Sequence, residues 1–251
     1  MKAMAICGTS NSGKTALCEV IISGLRARGY TVGSVKEIHS PDFALDPDLA
    51  EDTGRHRQSG SQLITARAFH ETDILYQGKL PIDEILKHYH HDFVILEGVS
   101  DCNCPRILTA HQIDEVEERM DERVVAVSGV LANTGLTEVM GVPVLHALQN
   151  PDKLLDFVEE HAFAPLPSFE SDCCSLCGQS CRELAGEIAR GKATREECIL
   201  DSSTAELLVN GVSLPMVPFV QKILKNAVLG VVQELDGYKE HGEIVVRVKS
   251  S

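Results

Sequence analysis

Apolar positions in the first two-thirds of the chain fall into two alternating kinds of segment. Short continuous runs, such as residues 3–7 (AMAIC) and Phe93 to Leu96 (FVIL), read as strands buried on both faces. Between them lie stretches with helical spacing. In TALCEVIISGLRARGY, Leu17, Val20, Ile21 and Leu25 recur every three or four positions, and Gly29 stands where a helix commonly stops. TVGSVKE then reads as a second strand, QLITARA as another, and RVVAVSG and VPVLHA as two more. PIDEILKHYH places Pro81 in the first turn and Ile82, Ile85, Leu86 and Tyr89 on one face of a helix. NPDKLLDFVEEHA is a helix with Asn150 as N-cap and Pro151 at the first helical position. The polar, proline-containing region over residues 40–60 reads as a mobile loop leading into a short helix. Strands alternating with helices predict an α/β fold, a doubly wound and mostly parallel sheet, over residues 1–163.

The pattern changes at residues 164–172, which read as a linker into a smaller, cysteine-rich α+β domain over 173–251. There Asn210-Gly211 between two apolar runs is a hairpin signal. Ile223, Leu224, Ala227, Val228, Val231 and Leu235 mark a helical stripe, and GEIVVRVK reads as a closing strand.

Charge narrows the function classes. The formal net charge is −14, which argues against a broad nucleic-acid-binding surface. It leaves room for a nucleotide, which backbone N–H groups and one or two cations can hold. No signal-peptide pattern opens the sequence and no run reaches the ~18–20 apolar residues of a membrane span, so a cytoplasmic, reducing compartment is expected. In such a compartment the nine cysteines read as metal ligands or core residues, not disulfides.

Gly8, four residues, then Gly13-Lys14-Thr15 match the phosphate-loop pattern G-x-x-x-x-G-K-S/T without a gap. The spacing has a chemical reason. Glycines let the backbone curl so that the N–H groups of Gly8, Thr9, Ser10, Asn11, Ser12, Gly13, Lys14, Thr15 and Ala16 form a cup for phosphate. Lys14 then bridges the phosphates and the Thr15 hydroxyl ligates Mg²⁺. With a strand before it and a helix after it, the motif predicts a P-loop NTPase fold. Glu97, directly after the most hydrophobic strand, is the candidate second group on the magnesium side. Lys14 and Glu97 are the candidate catalytic residues for weak hydrolysis. Lys36, at the end of the second strand, is a further phosphate-side candidate, as is the Arg55-His56-Arg57 cluster. The base cannot be read from the residues: the guanine-binding string N-K-x-D does not occur.

Five of the cysteines fall between Cys173 and Cys198. Cys174, Cys177, Cys181 and, after sixteen further residues, Cys198 have the three-close, one-distant spacing that favours a 4Fe–4S cluster, with a four-cysteine zinc site as the alternative. Cys173 is a spare that leaves the first ligand ambiguous by one. Cys102 and Cys104 form a C-x-C read as an ordinary reduced loop.

Taken in order, GTSNSGKTALCEVIISGLRARGYTVGSVKEIH, DTGRHRQSGS, and DFVILEGV followed by PRI resemble the molybdopterin-guanine dinucleotide biosynthesis protein B (MobB-type) family over residues 1–160. The resemblance implies a P-loop fold that binds GTP and pairs with the enzyme attaching GMP to molybdopterin. It also implies a homodimer, and a role in molybdenum or tungsten cofactor biosynthesis. Its motifs map onto Val35, Lys36 and His39, onto Arg55, His56, Arg57 and Gly60, and onto Asp92, Glu97 and Gly98. The chain departs from it in the acidic stretch between His39 and Asp52, and in Arg106 where the family has lysine. The cysteine tail lies outside that family. It is similar to 4Fe–4S modules of corrinoid iron–sulfur proteins and Rnf-type electron-transfer subunits, with three residues instead of four between the second and third cysteines. A GTP-binding accessory protein is therefore expected, and the alternative is a nucleotide-gated iron–sulfur electron-transfer or cluster-handling protein.

Overall fold

A computed structural model of the chain describes residues 1–40, 43, 52–167, 177–198, 205–214, 216, 218–238 and 244–248. In chain order its elements begin with β1 (Lys2–Gly8), α1 (Lys14–Ala27), β2 (Val32–Lys36), α2 (Asp52–Gln58), β3 (Leu63–Arg67), β4 (Thr72–Tyr76) and α3 (Ile82–Leu86). They continue with β5 (Phe93–Glu97), β6 (Arg106–Thr109), α4 (Ile113–Glu117), β7 (Val124–Ser128), a 3-10 turn (Gly129–Thr134), β8 (Glu138–Val139), β9 (Val142–Pro143) and α5 (Pro151–His161). After them come α6 (Cys181–Ala189), β10 (Leu207–Val209), β11 (Val212–Leu214) and α7 (Pro218–Val232). Two compact units result: Met1–Phe169 with Ser180–Arg195, and Glu170–Gln179 with Glu196–Ser251. α6 falls within the first unit.

The first unit is built on a five-stranded parallel sheet in the order β2-β5-β1-β6-β7. Its middle strand is covered on both sides and both faces, so Ala3, Met4, Ala5 and Ile6 have no exposed surface. Side-chain alternation sorts the core into layers. On one face Met4, Ile6 and Ile95 pack with Leu17, Ile21 and Leu25 of α1 and with Leu154, Leu155 and Val158 of α5. On the other, Ala3, Ala5, Val94 and Leu96 pack with Ile82 and Leu86 of α3, and with Cys102 and Cys104. The α/β doubly wound fold is thus as expected, as are the stripe of α1 and the start of α5 after Asn150.

Several elements depart from the sequence pattern. QLITARA does form a strand, but it pairs only with β4 in a separate hairpin. VPVLHA shrinks to the two residues of β9, because Pro143 has no N–H for the ladder; Val144 adds one parallel bridge to Val127. PRI opens β6, which had no strand pattern because it is only four residues long and begins with an arginine. In the second unit the Asn210-Gly211 turn is as expected, with φ of 53° and 81°, joining β10 to β11. On α7 the covered row is Gln221, Leu224 and Val228, while Ile223 and Val231, expected on the stripe, lie 52% and 66% exposed. Residues 244–248 form no strand, since no neighbouring segment among the described residues pairs with them. Most of the loop expected over 40–60, namely 41–42 and 44–51, lies outside the described residues. Among the described residues no helix is long and apolar enough to cross a membrane.

Burial of Arg106 is explained by charge pairing. Asp121 accepts from Arg106 Nη1 at 2.8 Å and from Arg123 Nη2 at 2.8 Å, and all three side chains are at most 9% exposed. Arg182 of α6 adds a third guanidinium at 3.3 Å. Burial works to raise the Asp121 carboxyl, but the arginines outweigh it and hold the group below its ordinary range. Removing one member of a buried pair leaves its partner uncompensated. Asp121→Ala should therefore destabilise the protein by about 3–5 kcal/mol, read as a lower urea midpoint at unchanged slope. Its stabilising effect is present above the ordinary aspartate pKa and fades as pH falls through the lower folded value, so the variant should also lose part of the acid limb.

Candidate functional site: a phosphate cup at the strand ends

Parallel register brings the carboxyl ends of the sheet into one row. Lys36 of β2 lies opposite Glu97 of β5, Ile6 opposite Glu97, Gly8 opposite Thr109 of β6, and Thr109 opposite Ser128 of β7. The loop from Gly8 to Gly13 rises from the middle of this row and feeds directly into α1. Asn11 has φ of 58° and Gly13 of 99°, the left-handed conformations that curl the loop on itself.

The cup is held from beneath. Ser12 is fully buried; its hydroxyl donates to Thr9 O at 2.8 Å and shares a 2.7 Å hydrogen bond with the Thr109 hydroxyl. Its carbonyl accepts from Val130 N at 3.1 Å. These approaches need glycine at two places. A Cβ on Gly8 would sit 2.0 Å from Thr109 O, and one on Gly129 would sit 2.2 Å from Ser12 O. The rim is also tied down: Thr9 Oγ1 donates to Glu115 Oε2 at 3.0 Å, and the His111 backbone N–H donates to the same oxygen at 2.7 Å. The His111 backbone bond, with the side-chain bonds from Thr9 and His111, holds the Glu115 carboxyl low despite its desolvation.

Lys14 donates to Gly8 O at 3.1 Å and also to Thr9 O, so the ammonium lies against the cup's own carbonyls. Beside it Thr15 Oγ1 donates to Glu97 Oε1 at 2.7 Å. Lys36 Nζ reaches the same oxygen at 2.5 Å and Thr15 Oγ1 at 3.5 Å. Partial burial works to raise the Glu97 carboxyl. The hydrogen bonds from Lys36 and Thr15, with the charges of Lys36 and Lys14, prevail and hold it below its ordinary value of 4.5. A hydroxyl and an ionised carboxylate in contact are hard oxygen donors, the set Mg²⁺ takes.

The structure therefore brings together Gly8, Thr9, Ser10, Asn11, Ser12, Gly13, Lys14, Thr15, Ala16, Lys36 and Glu97 at one edge of the sheet. His39 joins them, since a Cβ on Gly98 would lie 3.6 Å from its Nε2. Arg55 pairs instead with Asp52 of its own helix at 3.7 Å, an exposed pair. Thr109, Gly129, His111 and Glu115 had no local sequence signal. The one available cue was that Thr109 and Gly129 end or follow apolar runs, where a parallel strand meets its ligand edge. A concavity of about 690 Å³, lined in part by Lys2, His90, His91 and Asp92, lies at the amino ends of β1 and β5, away from the cup.

The cysteine motif is less assembled. Cys174 lies outside the described residues, as does Cys173. Cys177 Sγ lies 3.4 Å from Gln179 O, Cys181 opens α6 behind a Ser180–Glu183 capping box, and Cys198 is buried. Among the described residues no group of three or more His, Cys, Asp or Glu side chains is arranged to hold a metal. Cys102 and Cys104 are core residues. The hydrogen bond between them, and then burial, push the Cys104 thiol up, away from the thiolate a metal needs.

Among known proteins, residues 3–129, just over half of the chain, match the family described as MobB, molybdopterin guanine dinucleotide synthesis protein B. A protein of Methanocaldococcus jannaschii described as a putative molybdopterin-guanine dinucleotide biosynthesis adapter protein is 24% identical over 258 residues, spanning 100% of this chain and 99% of that relative. The crystal structure of Bacillus subtilis MobB is similar with a TM-score of 0.50 at 18% identity, covering 62% of this chain and 97% of that one. A MobB homologue from Bacillus stearothermophilus gives 0.47 at 17% identity, over 63% and 95%. The Bacillus subtilis likeness shows the P-loop NTPase fold. Over a third of this chain lies outside that match, whereas the Methanocaldococcus relative runs the whole length.

Two outcomes follow from the geometry. Gly129→Ala, strained at φ +82° and overlapping Ser12 O, should displace the cup and lower stability by about 1–3 kcal/mol, measured by thermal unfolding. Glu97 contributes stability above pH 4.5 that is lost as pH falls through its lower folded value. A Glu97→Gln chain should therefore show a flatter stability–pH curve below pH 4.5 than the parent.

Proposed function

The chain belongs to the MobB family, molybdopterin guanine dinucleotide synthesis protein B, and from that premise we propose that it is a GTP-binding accessory protein of molybdenum or tungsten cofactor maturation. The observation that carries this is the Thr15–Glu97–Lys36 contact directly behind a glycine-curled loop at the head of α1. Backbone N–H groups of residues 8–16 receive the phosphates, and the amino end of α1 adds its positive pole. Lys14 leaves the carbonyls of Gly8 and Thr9 to bridge phosphate oxygens. Thr15 and Glu97 would hold Mg²⁺, which supplies charge neutralisation for the triphosphate. Lys36 remains as a second cation at that end, and Lys14 and Glu97 together support weak hydrolysis. The partner is a molybdenum cofactor guanylyltransferase or a molybdopterin enzyme. The adapter description of the Methanocaldococcus relative, which spans both units, supports that reading, and the protein acts as a homodimer.

The cysteine-rich part forms a second, separable binding module. Thiolates at Cys174, Cys177, Cys181 and Cys198 are the right donors for a 4Fe–4S cluster or for zinc. The spacing alone supports it, because among the described residues no three such side chains are arranged to hold a metal, and no step of the nucleotide chemistry depends on it. If that metal module proves redox-active, the nucleotide-gated electron-transfer reading gains ground.

Lys14→Ala should weaken GTP binding about 100-fold or more, the scale of losing charge-assisted bonds to phosphate, and leave iron, sulfide and zinc content unchanged. Cys177→Ser should do the reverse. Nucleotide titration beside elemental analysis of anaerobically purified protein checks both. A parent chain that ignores GTP with magnesium supplied would sink the proposal.

A further inference from the structure

The oxygens suited to a divalent cation are already in contact with a positive charge of the chain's own. Lys36 Nζ lies 2.5 Å from Glu97 Oε1 and 3.5 Å from Thr15 Oγ1, and those two oxygens are 2.7 Å apart. The contact follows from the sheet, because β2 and β5 run parallel with Lys36 opposite Glu97. Strand register alone therefore delivers the ammonium to the carboxylate.

The two members of the pair are not equally free. The Glu97 side chain is 12% exposed and tied by the Thr15 hydroxyl, whereas that of Lys36 is 56% exposed on a flexible stem. If the pair opens, the lysine is the part that moves. Glu37, its neighbour in the chain, is already paired with Lys79 at 2.5 Å. An ammonium leaving Glu97 therefore turns to the phosphates of a ligand in the cup.

Charge then separates two cases. A divalent cation approaching Thr15 and Glu97 by itself meets a carboxylate whose charge is already matched. It would have to weaken that pair, and the ammonium close by would repel it. With a polyphosphate in the cup, the same ammonium gains phosphate oxygens, which offsets the lost pair. Lys14 differs in kind: it lies against the carbonyls of Gly8 and Thr9, which carry no full charge. Its departure exposes no anion for a metal, so any coupling between the two ligands falls to Lys36.

We propose that Lys36 is a specificity-determining residue that stands in for the cation at Glu97 until a polyphosphate draws it away, so that the site resists a bare divalent metal and accepts metal and polyphosphate together. The proposal rests on the nucleotide reading above, and its test separates the two. Mn²⁺ binding, followed by electron paramagnetic resonance, and magnesium–tripolyphosphate binding, followed by calorimetry, would be measured on the full chain. Lys36→Met should tighten Mn²⁺ alone about fivefold, the worth of one partly exposed ion pair. The same variant should weaken magnesium–tripolyphosphate about tenfold, the worth of a charge-assisted bond to phosphate. Lys36→Arg keeps the charge and should follow the parent in both. Adding Glu97→Gln to Lys36→Met should remove the tightened Mn²⁺ binding, which assigns it to this carboxylate and not to the acidic surface. Mn²⁺ affinity unchanged in Lys36→Met, a gain that survives Glu97→Gln, or unchanged magnesium–tripolyphosphate affinity would overturn the assignment. Both ligands weakened together would mark a merely structural role and overturn it equally. A parent that does not bind magnesium–tripolyphosphate would instead overturn the nucleotide reading, and this proposal with it.

Discussion

The cup at the strand ends depends on the contact between Ser12 and the carboxyl ends of β6 and β7. Its hydroxyl meets Thr109 and its carbonyl meets Val130, so a loop that would otherwise be a flexible run of small residues is anchored on both of its polar groups. Buried polar groups left unpaired are costly, and that cost is what keeps the loop in its curl. Because Thr109 and Gly129 belong to β6 and to the turn after β7, the shape of the cup is set by strand pairing across the sheet and not by the loop alone.

The same pairing register sorts the chemistry into two sides. Toward β5 and β2 stand Glu97 and Lys36, with Thr15 between loop and carboxylate. Toward β6 and β7 stand the hydroxyls of Ser12 and Thr109, the turn that holds the Ser12 carbonyl, and the Glu115 carboxylate that ties down Thr9. A one-residue slip of β5 against β1 would turn Glu97 to the other face of the sheet and break the Thr15 contact. The apolar run from Phe93 to Leu96 would tolerate such a slip, but the carboxylates at its ends would not: Asp92 is held by Thr31 and Glu97 by Thr15 and Lys36.

How much of this could be read in the sequence divides along the line between local and non-local causes. The phosphate loop, α1 and Glu97 were legible because contiguous residues carry them: a glycine pattern, a helical stripe, a carboxylate ending an apolar run. Lys36 was legible by its place at the end of a strand. Thr109, Gly129 and the Thr9–Glu115 tie were not, because each depends on two residues about a hundred positions apart in the chain. β6 escaped for a related reason: its leading Arg106 looks like a surface residue until Asp121, fifteen positions on, neutralises it. The cysteine motif reverses the case. Its spacing is plain in the sequence, but Cys174 lies outside the described residues, and the others do not make a metal-holding group there.

Charge poses the remaining physical problem for the proposed function, since a chain of net charge −14 would have to hold a tetra-anionic ligand. The long-range field opposes approach, but at physiological salt it is screened beyond about 8 Å. What matters is then the local arrangement. Lys14, Lys36 and the amino end of α1 lie within that range of the cup, and Glu97 is the carboxylate placed against them. Lys36 already pairs with the Glu97 carboxylate, which with Thr15 would hold a divalent cation. A cation held there would free the Lys36 ammonium to serve as a second positive charge for a phosphate ligand. Net negative charge and an anion site at this edge would therefore be compatible, because the Lys36–Glu97 pair places a cation there whose counter-charge can be exchanged.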